Sequence, residues 1–330
     1  SCSRRIDHSL MRVLITGATG FLGRALVRAF LADGAERIVL YSRSESRQAE
    51  VAAELGDHPA LRFFLGDVRD RERLVQAMWH CDAVAHCAAL KRVDSVAYNP
   101  DEVRKTNVLG SANVSSAAVE AGVAKVLMIS SDKSCLAQNA YGVSKAQMEH
   151  EAIAYTRISY PRGTKIACTR YGNVLGSTGS VVSLWRAAVA AGLPIPITDP
   201  DMTRFWFTVG QAVDVVREAL ARMEGGELFV PVLSAMRLGD LAEAVAPGWP
   251  VRVIGLRPGG EKRHELLLND DEATRTVAVT ESLYVVKPAL PTWRADDPWD
   301  GEPFPAGAVY RSDLVPRLSV EEMRAMLKEM

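Results

Sequence analysis

No stretch of the sequence approaches the roughly 20 consecutive apolar residues that a membrane helix requires, and no basic-then-apolar leader pattern opens it. The first lack speaks against a membrane-embedded chain, and together they make the cytoplasm the expected location. Charge of one sign is missing as well: 39 Lys and Arg face 40 Asp and Glu, a formal net charge of −1. A nucleic-acid-binding chain carries a basic patch that lifts the isoelectric point well above the 6.6 found here, so no nucleic-acid partner is expected. Cysteine is scarce and unpatterned. Cys2, Cys81, Cys87, Cys135 and Cys168 are odd in number and show neither Cys-x-x-Cys nor Cys/His spacing, which argues against a disulfide framework and structural zinc; no metal is expected. Cys135 reads as a packed wall residue. No internal repeat is present.

What remains is a chain of 330 residues, 48% apolar, long enough for one large domain or two smaller ones. Ser1 to Leu10 precede a plausible start at Met11 and are expected to be a leader or tag remnant. Met11–Thr16 is a short apolar, β-branched run followed at once by Gly17-Ala-Thr-Gly20-Phe-Leu-Gly23 and an amphipathic helical pattern. Strand, glycine turn and helix in that order form the setting of a dinucleotide-binding loop. Gly17, Thr19, Gly20, Phe21, Leu22 and Gly23 are therefore expected to meet a cofactor's phosphates. The second strand ends in Ser42-Arg43, where a cofactor lacking a 2′-phosphate usually finds an acid for its ribose hydroxyls. An arginine fits a phosphate dianion that a carboxylate would repel, so NADP is expected over NAD. Asp67 and Val68, after the third strand, face the adenine end. Ala88 and Lys91 follow the fourth strand, whose His86 reads as a packed, hydrogen-bonded histidine.

Asn99 to Ala121 reads as one long helix with Asn107 in its middle, a poor mid-helix residue expected to bend the helix or bond across to the Tyr141 segment. Strands and helices alternate through Lys165–Thr169. That pattern predicts an α/β, Rossmann-type, doubly wound parallel sheet over 11–175. Beyond it the alternation dissolves, and 176–330 is expected to form mainly a smaller α/β substrate domain interleaved with the first. Ser319 with Glu322 forms a capping-box start for a terminal helix.

The chain centres on Ser130 to Lys145. Ser131, Asp132 and Lys133 follow the apolar run Lys125–Ile129, so they are placed on a loop at a strand's carboxyl end, where open α/β sheets carry their chemistry. Tyr141 and Lys145 are four residues apart on one helix face. A phenol titrates near ~10, and an adjacent cation favours the phenolate, which would make Tyr141 a usable base.

These residues resemble the extended short-chain dehydrogenase/reductases, and four stretches resemble the 5-inverting UDP-N-acetylglucosamine 4,6-dehydratases of the pseudaminic-acid pathway. The stretches are Ala88–Lys91 with Asn99-Pro100 and Lys105–Gly110; Ser130–Lys133 with Asn139 and Tyr141–Lys145; Arg170–Val174; and Met202–Trp206. Asp132-Lys133, in place of the Asp-Glu of ordinary nucleotide-sugar 4,6-dehydratases, is the most specific of them. The resemblance implies NADP-assisted C4 oxidation by Tyr141 and Lys145, with Ser131 holding the C4 oxygen. It implies C5 deprotonation by a neutral Lys133 and acid assistance by a protonated Asp132. Lys91, Asn173, Val181, Thr203, Arg204, Arg257 and Glu261 are the implied substrate contacts, and a homo-oligomer, dimer or hexamer, is implied. Ala137, Gln138, Thr178, Ser183 and the extra glycine of 257–262 depart from that pattern on the substrate side. Two other readings are a nucleotide-sugar epimerase or dehydratase for another hexose, and a non-enzymatic NADP(H)-sensing regulator.

Overall fold

The computed structural model describes residues 11–177, 179–256, 260–289 and 297–330. The expected leader at 1–10 lies outside them, as do Thr178 and Arg257.

Six strands form in the first half: β1 (Arg12–Thr16), β2 (Arg37–Ser42), β3 (Leu61–Leu65), β4 (Ala83–His86), β5 (Lys125–Ile129) and β6 (Lys165–Thr169). All but β3 bury nearly every residue, because helices cover both faces of a parallel sheet and leave no side for polar alternation. β3 is the edge and is largely exposed. The sheet runs β6-β5-β4-β1-β2-β3, all parallel, so the strand order reverses between β1 and β4. Ligands of open sheets bind in the crevice outside such a reversal. Beyond β6 the sheet continues with Leu228–Pro231, parallel, and then with the antiparallel strands Leu283–Val286, Thr276–Thr280 and Glu302–Pro303. Four strands from the second half of the chain thus complete a sheet begun in the first.

Helix α1 (Phe21–Ala32) packs against Val209–Arg222, and the side chains of Arg217 and Asp33 pair across that contact. A second apolar core lies apart from the sheet, built by Val182, Trp185, Leu241 and Met323 from three later helices. The strand Thr203–Phe207 lies between the two cores. Phe205 and Phe207 face the sheet's core and Trp206 the second, which is why an alternating strand is buried at every position. The terminal helix Val320–Lys328 starts with the expected Ser319–Glu322 capping box.

The long helix is continuous from Pro100 to Ala121 but widens to a π-turn over Arg104–Leu109. Asn107 lies within that turn. Its amide accepts from the Leu90 N–H at 2.8 Å, donates to the Leu90 carbonyl at 2.9 Å and donates to Ser144 Oγ at 3.0 Å. Both expectations for Asn107 are met: the helix is distorted where it stands, and its side chain reaches the Tyr141 helix. No described helix is long and apolar enough to cross a membrane.

Candidate active site

The glycine turn sits at the strand reversal. Gly17 has φ +66°, and a side chain there would meet the backbone of Ala88, two residues beyond β4, at 3.0 Å. A Cβ at Gly23 would come within 2.4 Å of the Gly17 carbonyl, so the start of α1 is held against the turn. The N-cap of α1, Gly20, supplies no side-chain cap and the first helical turn carries no acid. Its amide donors are left for an anion, as a dinucleotide's pyrophosphate requires. His86 lies beneath, fully buried between Thr16 Oγ1 (2.7 Å) and Ser111 Oγ (2.9 Å), its imidazole held neutral by burial and by Lys145, with its pKa down to about 3.

At the ribose end, Ser42 is buried and its hydroxyl bonds Gln48 Nε2 at 3.0 Å. The same amide donates to the carbonyls of Ser42 and Phe64. Arg43 extends into solvent with Nη1 3.7 Å from Asp67 Oδ2. Asp67 is gripped by Arg69 at 2.8 and 3.1 Å; the two arginines outweigh its desolvation and hold its carboxyl below the ordinary range. Val68 is buried against Gly110.

Ser131, Asp132 and Lys133 leave β5 together. The Asp132 N–H donates to the Tyr171 carbonyl at 3.0 Å, which seats a carboxylate that is only 1% exposed. Its Oδ1 accepts from Ser131 Oγ and from Lys133 Nζ, both at 2.9 Å, while Oδ2 has no partner among the described residues. Lys133 Nζ also lies 3.5 Å from Asn173 Oδ1 and 3.5 Å from Glu265 Oε1. Tyr141 and Lys145 are buried on the helix Ala140–Ser159, whose cap Asn139 accepts from Gly142 N–H at 2.9 Å. A Cβ at Gly142 would fall 2.2 Å from the Lys133 carbonyl oxygen, so the loop and this helix fit together only through a glycine.

Two expectations about charge are corrected. The sequence suggests a neutral Lys133, yet desolvation there is overcome by Asp132 and Glu265, which raise its pKa above the ordinary lysine value. The sequence also suggests that Lys145 lowers the Tyr141 phenol. Burial instead raises Tyr141, and the influences that oppose it are Lys133 and a hydrogen bond with Ser131. Lys145 turns its amine to the Ile129 carbonyl at 2.7 Å, and burial draws its own pKa down to about 8.

On the substrate side, a pocket of about 350 Å³ is lined by Val93, Lys133, Asn139, Gly260, Glu261, Lys262 and Glu265. Lys91, exposed beside it, is held below its ordinary value by desolvation and by Lys133. Val181 opens the helix Val181–Ala190. Arg204 is buried and committed to Glu261 at 3.1 Å and to the carbonyls of Thr203 and Arg263. Thr203 is corrected to a framework residue: it is buried, and its hydroxyl is shared between His264 Nδ1 (2.8 Å) and Ser312 Oγ (2.6 Å). The Gly260 turn rests on the reactive loop through Asn139 Nδ2, which donates to the Gly260 carbonyl at 3.1 Å. Two departures from the family pattern, at Gln138 and in the glycine-rich turn, therefore stand side by side.

Sequence reasoning misses Glu265, and it reads Lys262 only as part of the charged turn 257–262 suited to a diphosphate. Lys262 Nζ donates to the carbonyls of Asp132 (3.0 Å) and Cys135 and lies 3.3 Å from Glu265 Oε2. The only local signal is that Lys262 and Glu265 stand three residues apart in a charged segment. Cys135 is packed as expected, its thiol pushed up to about 12 by burial.

A glycine turn at the reversal of a parallel sheet, with a Tyr-x-x-x-Lys helix and a reactive loop on β5 beside it, defines an extended short-chain dehydrogenase/reductase. The solved structure of Pen from Bacillus thuringiensis shares that fold at a TM-score of 0.90 and 31% identity, covering 98% of this chain and 100% of that one. The chain belongs to the polysaccharide biosynthesis protein family, whose sequence model matches residues 13–288. It is 40% identical over 280 residues to a UDP-N-acetylglucosamine 4,6-dehydratase (inverting) of Campylobacter jejuni, covering 84% of this chain and 83% of that protein. It is 39% identical over 278 residues to a UDP-glucose 4-epimerase of Rickettsia conorii, covering 82% and 80%. The dTDP-glucose 4,6-dehydratase DesIV of Streptomyces venezuelae, solved with NAD and TYD bound, matches at a TM-score of 0.68 and 26% identity, over 76% of this chain and 86% of that one. The chain is thus of the nucleotide-sugar 4,6-dehydratase and epimerase kind, and a nicotinamide cofactor fits its glycine turn.

Proposed function

We propose that the protein is an inverting UDP-N-acetylglucosamine 4,6-dehydratase, a cytoplasmic, homo-oligomeric hydro-lyase of polysaccharide biosynthesis. The observation that carries the reading is the Asp132–Lys133 pair, an acid and an amine 2.9 Å apart on the loop that also presents Ser131 beside Tyr141. A nicotinamide cofactor held by the Gly17 turn would accept hydride from C4 and later return it to C6, so no reduced cofactor would be consumed overall.

Tyr141, once it has lost its own proton to solvent and stands as the phenolate, takes the proton of the C4 hydroxyl while Ser131 holds that oxygen. The resulting ketone acidifies the C5 hydrogen. Lys133 rests as the ammonium, its extra proton favoured by Asp132 and Glu265. Moving that proton across the 2.9 Å bond to Asp132 yields both groups the reaction needs: a neutral amine to remove the C5 hydrogen, and a protonated carboxyl to release the C6 hydroxyl as water. A proton returned to C5 from the opposite face inverts that centre. Asn173 and Arg204 serve the substrate side, with Lys91, Glu261 and Val181 around them. Arg257, outside the described residues, completes the diphosphate contacts.

The second reading, a 4-epimerase, is favoured by the similarity to the Rickettsia protein. Incubation with UDP-N-acetylglucosamine in deuterium oxide separates them. We expect a 4-keto-6-deoxy product with solvent deuterium at C5 and inverted configuration; an unchanged hydroxymethyl group would refute the dehydratase.

NADP is the cofactor we propose, on the strength of Arg43 and the missing acid beside Ser42. Arg43→Ala is expected to weaken NADP binding about tenfold or more and to leave NAD binding nearly unchanged, as read by fluorescence titration. Equal losses for the two cofactors would reassign Arg43 to general electrostatics.

A further inference from the structure

The mechanism above gives Glu265 no task, yet its carboxylate is 2% exposed and faces three cations. Oε1 lies 3.5 Å from Lys133 Nζ and 3.9 Å from Arg204 Nε, and Oε2 lies 3.3 Å from Lys262 Nζ. A carboxylate taken from water without such partners would be neutral. Here desolvation is outweighed by Lys133, Arg204 and Lys262, and the carboxyl stays below its ordinary range.

Among the described residues, the charges that face Lys133 are those of Asp132, Glu265, Arg204 and Lys91, with Glu261 and Lys262 lining the same pocket. Asp132 and Glu265 favour its ammonium form, Arg204 and Lys91 oppose it, and the Tyr141 phenol beside it is neutral. Asp132 is the partner to which the proton moves, so it cannot also fix where the proton rests. Glu265 is a second acid against the amine, 3.5 Å away, and Lys262 ties it to the carbonyls of Asp132 and Cys135 on the same loop.

We propose that Glu265 is the positioning residue that governs the proton shared by Lys133 and Asp132, keeping it on the amine in the resting enzyme and aiming that amine between Asp132 and Asn173. The step it controls is a single transfer: one N–H bond of Lys133 breaks, one O–H bond of Asp132 forms, and two opposite charges vanish. The assignment rests on the proposed role of Lys133 but is tested without substrate.

The test is competitive acylation of the full-length protein with acetic anhydride across pH, reading the Lys133 peptide by mass spectrometry against exposed Lys328. Removing a negative neighbour disfavours the ammonium form. The Lys133 midpoint is therefore expected to fall by about one pH unit in Glu265→Gln, giving about tenfold more labelling at any fixed pH below the midpoint. Glu265→Asp keeps the charge at a greater distance and is expected to fall less; it carries the test alone if the Gln variant does not fold. The acid limb of the kcat profile is expected to move the same way, which a purely structural defect would not produce. An unchanged Lys133 midpoint in the folded variants overturns the proposal. Absence of dehydration by the wild-type protein would refute the reaction instead, and the labelling curves would still report on Glu265.

Discussion

Lys133→Met is expected to slow formation of the 4-keto-6-deoxy product by between about a hundredfold and ten-thousandfold, the range over which a positioned proton-transfer group contributes. Oxidation at C4 does not require this amine, so mixing the variant with sugar nucleotide should still give the near-ultraviolet absorbance of reduced nicotinamide. That signal should persist rather than decay, because the ketone formed cannot lose its C5 hydrogen. Lys133 is also the cation that opposes the raised pKa of Tyr141. Its loss raises the phenol further, so the first oxidation should weaken near neutrality and recover as pH rises. Wild-type rates of deuterium entry at C5 in the variant would remove Lys133 from the proposed chemistry.

Arg170→Met is expected to destabilise the protein by about 3–5 kcal/mol, because it strands the buried carboxylate of Glu149 and the partly buried one of Glu272. Arg170 is 3% exposed. It meets Glu149 at 2.6 and 3.1 Å, Glu272 at 2.8 and 2.9 Å, and the Leu267 carbonyl at 2.8 Å. Desolvation raises the Glu272 carboxyl and Arg170 is the leading influence that holds it below its ordinary range, so without the guanidinium its folded-state affinity for protons rises above that of the unfolded chain. Stability then falls with rising pH, and the deficit should narrow as pH drops toward the carboxylate range. Urea unfolding at two pH values measures both effects. A loss below about 1 kcal/mol would mean that water or rearrangement replaces Arg170. Glu149 also accepts from Ser134 Oγ at 2.7 Å, so the same lesion should loosen the reactive loop.

The parts of the site legible in the sequence are local. A β-branched run, three glycines and a helical pattern lie within a dozen residues, and the spacing of Tyr141 and Lys145 already states that they share a helix face. The proton arithmetic of the site is not local. Lys133 looks neutral when only Lys145 and a cofactor are counted, because nothing near it in sequence announces Glu265. Tyr141 looks activated by Lys145 because spacing reports a shared face but not where an amine turns, and here it turns to the Ile129 carbonyl. Thr203 fails for a similar reason: a hydroxyl beside Arg204 reads as a ligand contact until His264 and Ser312 arrive from later segments to claim it. Asn107 shows the opposite case, since a residue ill-suited to a helix interior carries its own notice that something non-helical holds it there.

The wide turn around Asn107 gives that helix a surplus residue. A π-turn spends one residue more than an α-turn over the same rise. Deleting a single position between Arg104 and Leu109 would remove the extra residue and restore regular winding, leaving the downstream turns in register but abolishing the widened turn from which Asn107 reaches Leu90 and Ser144. Single substitutions on the outer face of this helix can be absorbed where they stand, whereas closing the wide turn would undo the fastening that Asn107 makes between the Leu90 segment and the reactive helix.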